Sequence, residues 1–189
     1  ALTGPNGCGK STLLKVLAGQ LTVVSGQART LVTSTYLDQH LGALEPARSV
    51  LEQLQSLNRQ LSEGELRTRL AQLGLNADRI NLPSHRLSGG ERLKAAMACV
   101  FYTQSPPQLL LLDEPSLGLA PIIVKQIFQT LRELAKSGMT IFLVEQNAHH
   151  ALRLSDRGYV IVNGQIRLSG TGEELLHNQE VRKAYLGGI

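Results

Sequence analysis

One stretch near the start of the chain has the glycines, lysine and hydroxyl groups that bind the phosphates of a nucleotide. It fits the pattern G-x4-G-K-S/T and consists of Gly4, Pro5, Asn6, Gly7, Cys8, Gly9, Lys10, Ser11 and Thr12. The glycines leave backbone N–H groups free to surround phosphate oxygens at the positive end of the following helix. We predict that Lys10 reaches the β- and γ-phosphates and that Ser11 ligates Mg²⁺. Thr12 belongs to the binding stretch, although we expect its side chain to pack or cap.

A pair of carboxylates follows the most aliphatic part of the sequence. Asp113 and Glu114 come directly after four leucines, Leu109–Leu112, which are typical of a parallel strand buried on both faces. Such a strand delivers the residues that follow it to the carboxyl edge of the sheet, where ligands bind. We predict that Asp113 holds the metal, directly or through water, and that Glu114 acts as a general base or orients water. Adjacent acids in an ordinary surface turn are the alternative.

A second candidate anion site lies at Leu87–Glu91. Ser88 as N-cap with Glu91 three residues later is a capping box, which by itself explains a helix start. A cap does not require Gly89 and Gly90, and we expect both glycines to uncover the backbone of a helix N-terminus for an anion. Two such sites in one chain suggest that two chains share each nucleotide.

These groups need a sheet to bring them together. Apolar and β-branched runs predict strands at Leu31–Leu37, Leu109–Leu112 and Thr140–Val144. Gln39 follows the first of these strands, and Glu145, Gln146 and Asn147 follow the last. By itself Gln39 is typical of the start of a loop. A pattern of strands alternating with helices predicts an α/β domain with a mostly parallel sheet.

The remaining segments predict two further features. Residues 45–87 have helical periodicity without strand patterns, so we expect a helical subdomain inserted within a single domain of residues 1–189. Asn163-Gly164 between two β-rich runs predicts a hairpin with a type I′ turn near the end. Because only Ala1, Leu2 and Thr3 precede Gly4, we expect that the domain lacks strands that would come before it.

Composition excludes several classes of protein. The 189 residues contain no apolar run of the roughly 20 residues that span a bilayer, and no leader is recognised, so we expect a cytoplasmic protein. Basic residues are spread singly, without interleaved aromatics, which does not favour DNA binding. Cys8 and Cys99 lack metal-ligand spacing. His149 and His150 are expected to be a solvated pair.

In their order along the chain, these motifs resemble those of the ATP-binding cassette (ABC) ATPases, and the resemblance covers the whole chain. It implies a RecA-like P-loop NTPase fold, with 4–11 as the Walker A loop and 87–91 as the signature. Asp113-Glu114 then becomes Walker B with the catalytic glutamate. Gln39 takes the Q-loop position, with a catalytic and a metal-binding role, and Gln146 takes the position of the switch histidine.

The resemblance also implies ATP, Mg²⁺ and a head-to-tail dimer, either a homodimer or a heterodimer with another cassette. In that dimer Ser88, Gly89, Gly90 and Glu91 of one chain cap the phosphates held by the other. Three residues depart from the usual pattern: Glu91 replaces Gln, Ala120 replaces Asp and Gln146 replaces His. A neutral amide donates a hydrogen bond about half as strong as a charged group, so slow hydrolysis is expected. The aromatic residue that stacks on adenine lies upstream in this family, and base contacts stay unassigned.

Two branches of the family are suggested by different parts of the chain. Residues 1–112 look like the ABC-F proteins, which act on the ribosome, and residues 113–189 look like the ATPase subunit of branched-chain amino acid importers. A chimera is our leading interpretation. The importer branch implies membrane permease partners and a peripheral position on the inner face of the membrane. The ABC-F branch implies a ribosome partner, and a third alternative is a fragment that binds nucleotide without a productive partner.

Overall fold

The chain forms one six-stranded sheet in a computed structural model that describes residues 1–39 and 41–185. The strands are β1 (Leu2–Thr3), β2 (Ser34–Leu37), β3 (Leu109–Asp113), β4 (Thr140–Glu145), β5 (Arg157–Val162) and β6 (Gln165–Thr171). Their order is β2-β3-β4-β1-β5-β6. Neighbouring strands are parallel from β2 to β5, and only β5 and β6 pair antiparallel. The α/β prediction with a mostly parallel sheet is therefore confirmed.

Helices cover both faces of this sheet. In the described part of the chain they are α1 (Lys10–Leu17), α2 (Val50–Leu57), α3 (Glu63–Gln72), α4 (Ala77–Ile80), α5 (Gly89–Phe101), α6 (Pro121–Lys136), α7 (Ala148–Leu154), α8 (Gly172–His177) and α9 (Gln179–Tyr185), with a 3₁₀ turn at Ser84–Arg86. The predicted capping box of Ser88 opens α5, and Ser62 opens α3 in the same way, since each serine exchanges hydrogen bonds with a glutamate three residues later. No helix among the described residues is both long and apolar enough to cross a bilayer.

Strand β3 separates two packed layers. Leu111 faces a cluster with Leu14 of α1 and Val144 of β4, whereas Leu110 and Leu112 face the larger cluster on the opposite side. The larger cluster also includes buried leucines from α2 and α3, so the helical segment between β2 and β3 shares its core with the sheet. This packing fixes the carboxyl end of β3, where Asp113 is placed, from both faces.

Two details of the strands were decided by pairing. The strand predicted from Leu31 begins only at Ser34, because Ser34 pairs with Leu109, the first residue of β3. Leu31 and Val32 lie before this first pair and so have no partner residue in β3, and Leu31 is exposed. At the other end of the chain the predicted hairpin forms. Asn163 and Gly164 have φ angles of 48° and 75°, as a type I′ turn requires.

Candidate nucleotide site

The glycine-rich loop connects β1 to α1 in a conformation that needs glycine. Gly7 and Gly9 have φ angles of 76° and 100°, a region that other residues rarely adopt, and neither is crowded by neighbouring atoms. No side chain caps α1, whose N-cap is Gly9. The first N–H groups of a helix have no partner within it, so those of α1 are available to an anion. The loop therefore has a conformation open to an anion, and phosphate binding by these residues stays a prediction.

Lys10 is buried beneath this loop, with 4% of its surface exposed. Its Nζ donates to the carbonyl oxygens of Gly4 at 3.0 Å and Pro5 at 3.1 Å. It also lies 3.5 Å from Glu114 Oε1. The loop carbonyls thus aim the ammonium group at the end of β3, and Glu114 balances its charge.

Asp113 is held by two hydroxyl groups. Ser11 Oγ donates to Asp113 Oδ1 and the Tyr36 hydroxyl donates to Asp113 Oδ2, both at 2.9 Å. Burial is the main cause that raises the pKa of Tyr36 above its ordinary value, and the hydrogen bond to Asp113 is the second. This phenol therefore keeps its proton and remains a donor. Lys10, Ser11 and Asp113 therefore meet at one edge of the sheet. Sequence reasoning missed Tyr36, although the parallel pairing of β2 with β3 places it on the same face as Asp113.

Glu114 has a backbone conformation that is rare outside glycine. Its φ is 49°, which costs of order 1–3 kcal/mol and is typical of functional sites. Its N–H donates to Val144 O at 2.9 Å, which anchors this turn to β4. Its Oε2 accepts a hydrogen bond from Gln39 Nε2 at 3.2 Å. The structure thus brings Gln39 to the carboxylate pair through its amide nitrogen.

A buried pair that the sequence did not reveal fixes the turn after Glu114. Ser116 donates from its backbone N–H and its hydroxyl to the Glu145 carboxylate, at 2.9 Å and 2.8 Å. Burial raises the pKa of Glu145 and the charge of Glu114 adds to this effect, while the hydrogen bonds from Ser116 oppose it. The buried carboxylate ties the turn to the end of β4, one residue before Gln146.

Lys10, Ser11, Gln39 and Glu114 share one cavity of about 410 Å³, and Asp113 lines a neighbouring cavity of about 370 Å³. The first of these cavities is lined by Asn6, Gly7, Gly9, Lys10, Ser11, Thr12, Gln39, Glu114, Leu117 and Gln146. Gly4, Pro5 and Cys8 are not among its lining residues, and Cys8 is instead buried in the core. Thr12 is exposed and does not cap α1, so the expectation that it packs or caps was wrong. It stands on the first turn of α1, where its side chain faces the cavity.

The signature residues lie outside this cavity. Glu91 is engaged locally, since its carboxylate accepts from Ser88 N at 2.8 Å and lies 3.2 Å from Arg79 Nε. Burial alone would raise the pKa of Glu91, but its hydrogen bonds with Ser88 and the charge of Arg79 lower it. Ser88 and Gly89 are exposed to solvent. Gly89 lines a neighbouring cavity of about 370 Å³ that Gln39 and Glu114 also reach.

One expectation about the signature glycines needs correction. Gly90 does not uncover backbone for an anion, because it is buried against α6. A Cβ atom at this position would overlap the side chain of Ile123. Glycine at 90 therefore permits the close approach of α5 and α6, and only Gly89 leaves the helix start open.

The donors at the edge of the sheet suit magnesium. A hydroxyl, a carboxylate and an amide oxygen from Ser11, Asp113 and Gln39 are the hard oxygen ligands that Mg²⁺ prefers. Within residues 1–39 and 41–185, no group of three or more His, Cys, Asp or Glu side chains could hold a metal ion. His149 and His150 are exposed, with ring centroids 5.9 Å apart, in agreement with a solvated pair.

Fold and site together define a P-loop ATPase whose phosphate loop and carboxylate pair meet at one sheet edge. Residues 1–117 match the ABC transporter family, and the chain belongs to that family of ATP-hydrolysing transporter subunits. It is 41% identical to the high-affinity branched-chain amino acid transport ATP-binding protein BraG of Pseudomonas aeruginosa, over 99% of this chain and 87% of that protein. It is 34% identical to a probable branched-chain amino acid transport ATP-binding protein, LivF, of Archaeoglobus fulgidus, over 99% and 86%.

Solved structures give the same assignment. The ADP conformation of MJ1267, an ATP-binding cassette of an ABC transporter, is similar with a TM-score of 0.77 and 25% identity, over 98% of this chain and 87% of that one. The cassette cbiO1 of Clostridium perfringens, part of the transporter complex cbiONQ, has a TM-score of 0.76 and 27% identity, over 96% and 81%. The sequence resemblance to ABC ATPases is thereby confirmed.

Proposed function

We propose that this chain is the ATP-hydrolysing subunit that drives a branched-chain amino acid importer. The observation that carries this proposal is the 41% identity to BraG, which extends over 99% of the chain. A match of that extent includes residues 1–112 as well as 113–189, so it favours an importer subunit throughout. The chimera and the ABC-F role have no support from these relatives.

The contacts at the sheet edge suggest how ATP is bound. An ammonium group has three donors, and Lys10 uses its contacts with Gly4 and Pro5 to stay aimed at the phosphates. The γ-phosphate replaces Glu114 as the counter-ion of Lys10. That exchange releases the Glu114 carboxylate to orient the attacking water, or to accept its proton.

The hard oxygen donors make Mg²⁺ the cation of this site. When bound, Mg²⁺ neutralises charge that develops on the phosphate oxygens. Ser11, Gln39 and Asp113 would hold it. Gln146, which faces the same cavity, donates its amide N–H to the γ-phosphate in place of a histidine, and the weaker neutral hydrogen bond makes hydrolysis slow.

A second cassette completes the site in this proposal. Ser88 and Gly89 are exposed at the start of a 13-residue helix and do not line the cavity of their own chain. Their exposure supports a role in meeting the phosphates held by another cassette, identical or different. The helical segment and the region of Gln39 would contact the permease subunits at the membrane.

The test combines catalysis with transport. The purified chain should hydrolyse ATP only with Mg²⁺, and Glu114→Gln should keep ATP binding while turnover falls by roughly 10²–10⁴-fold, the usual contribution of a general base. Glu173→Gln, on the exposed side of α8, is the matched control and should keep wild-type turnover.

The transport assay uses vesicles that contain the permease pair of a branched-chain importer. Adding this chain should give ATP-dependent leucine uptake, which Glu114→Gln abolishes. Wild-type ATPase activity without permease binding, combined with co-sedimentation with ribosomes in ATP, would contradict the importer proposal and favour the ABC-F alternative. ATP binding without turnover or any partner would favour the fragment.

A further inference from the structure

We infer that Tyr36 is a positioning residue for magnesium, acting through the carboxylate of Asp113. This inference rests on the proposed function, because it assigns Asp113 to the metal. The geometry is specific: the two oxygens of one buried carboxylate each accept one hydroxyl hydrogen bond, from Ser11 on Oδ1 and from Tyr36 on Oδ2. The two donors differ in that only Ser11 is also a candidate metal ligand.

Ser11 is the donor that would also contact the metal. A hydroxyl has one O–H and two lone pairs, so its oxygen can ligate a cation while its proton still goes to Asp113 Oδ1. Tyr36 faces the other oxygen and has no such role. Its hydrogen bond to Oδ2 persists, and it holds the plane of the carboxylate so that Oδ1 points to the cation or its water shell.

Tyr36 is fixed well enough to act in this way. It lies on β2, where it pairs with Leu111, two residues before Asp113 on β3. Its ring packs against the cluster that contains Leu14 and Leu111. A side chain anchored by both a parallel strand pair and apolar packing presents its hydroxyl at a defined position, which a flexible surface donor could not do.

The end of β2 reaches both acids of the site. Tyr36 contacts Asp113, and Gln39, three residues later, contacts Glu114 at 3.2 Å. A shift of this short stretch would therefore change the metal carboxylate and the catalytic carboxylate together. Within this stretch, Tyr36 is the residue that positions the metal carboxylate, Asp113.

The test removes one oxygen atom. Partners of this kind, which hold a metal ligand without touching the metal, change metal affinity about 10–100-fold when lost. We expect Tyr36→Phe to weaken Mn²⁺ binding to the ADP-bound protein, followed by electron paramagnetic resonance, by about 10-fold. The Mg²⁺ concentration that half-saturates ATPase activity should rise by a similar factor. Turnover at saturating Mg²⁺ and ADP affinity in EDTA should stay close to wild type.

Tyr159→Phe is the control, since Tyr159 packs against the same cluster but lies on β5, three strands away from β3. It should leave the metal dependence unchanged. Equal metal affinity in wild type and Tyr36→Phe, or an equal loss of ADP affinity in EDTA, would overturn the inference and leave Tyr36 a structural residue. Failure of the wild-type chain to hydrolyse Mg-ATP would instead refute the proposed function.

Discussion

The two candidate phosphate-binding regions of this chain differ in where their polar groups find partners. At the edge of the sheet, the partners come from distant elements: Ser11 contacts Asp113, and Gln39 contacts Glu114. At the start of α5, Ser88 is satisfied within its own turn by the capping box with Glu91. The first region is a network assembled by the fold, and the second is a helix start that is locally complete and exposed.

The two regions therefore have separate roles. The network cannot form without the sheet, and Ser11, Gln39 and Glu114 of this network line the cavity that would hold the phosphates. The start of α5 needs nothing from that cavity, so it can serve a nucleotide on another chain. Variants in each region can test whether the two regions act on different nucleotides.

The clearest evidence for separate roles would be that variants of one region lower turnover while variants of the other weaken ATP binding. Ser88→Arg should lower ATP turnover by about 10²–10³-fold, as expected for loss of a group that stabilises the transition state. It should leave ATP affinity of the isolated chain nearly unchanged, because Ser88 does not line its own cavity. Lys10→Ala should instead weaken ATP binding itself. Calorimetric titration with ATP, combined with steady-state turnover, measures both effects.

ATP-dependent dimerisation tests separately whether Ser88 acts on a nucleotide held by another chain. With Glu114→Gln to stop hydrolysis, ATP should convert the chain into a dimer in size-exclusion chromatography, and added Ser88→Arg should prevent this. Equal losses of ATP affinity in Ser88→Arg and Lys10→Ala would place both regions on one nucleotide of one chain.

Packing at the second region is tested by a single methyl group. Gly90→Ala places a Cβ against Ile123, and overpacking of this kind destabilises by about 1–3 kcal/mol. In a chain of this size, each kcal/mol lowers the melting temperature by about 2–4 °C. Thermal unfolding measures the shift.

Two further variants test whether contact with Ile123 is the cause of the lower melting temperature of Gly90→Ala. Gly64→Ala, on an exposed turn of α3 with open space around it, should stabilise by about 0.5–1 kcal/mol. Adding Ile123→Ala to Gly90→Ala should recover part of the loss relative to Ile123→Ala alone. If Gly90→Ala melts like the wild type, close packing with α6 is not the reason for this glycine.

At the edge of the sheet, a further prediction concerns Gln146, which takes the position of the switch histidine. Gln146→His should raise turnover several-fold, because a charged donor makes a hydrogen bond roughly twice as strong as a neutral one. The gain should be greatest below pH 7, where more of the imidazole is protonated. A turnover assay across pH 6 to 8 measures it, with Gln165→His on the exposed end of β6 as the control. Lower turnover at every pH would mean that this cavity does not accept an imidazole in that role.

The smallest effect concerns the pH dependence of stability. Because burial raises the pKa of Glu145, the folded state binds this proton more tightly than the unfolded state does. Stability from this group is therefore present at low pH and falls as pH rises from the ordinary glutamate range through the raised pKa. Glu145→Gln should remove that component, so its melting temperature relative to wild type should increase between pH 4 and pH 8.

Glu173→Gln, at an exposed carboxylate, is the control for that comparison. It should follow the wild-type pH profile. Parallel profiles for Glu145→Gln and wild type would show that the buried pair with Ser116 does not influence stability through its charge.

Features that depend only on neighbouring residues could be predicted from the amino-acid sequence. The phosphate loop, the capping box at Ser88 and the turn at Asn163-Gly164 are all set by side chains a few positions apart. Their geometry follows from local hydrogen bonding and allowed φ angles. The buried character of β3 could also be read from its four leucines.

The meetings of distant side chains become visible only in the folded protein. The Tyr36–Asp113 hydrogen bond joins residues 77 positions apart, and the Ser116–Glu145 pair joins residues 29 apart. The true reason for Gly90 also depends on a different helix, α6. Such contacts depend on strand order and on how closely two helices approach, and these are set by the packing of the whole core, which no local pattern of residues specifies.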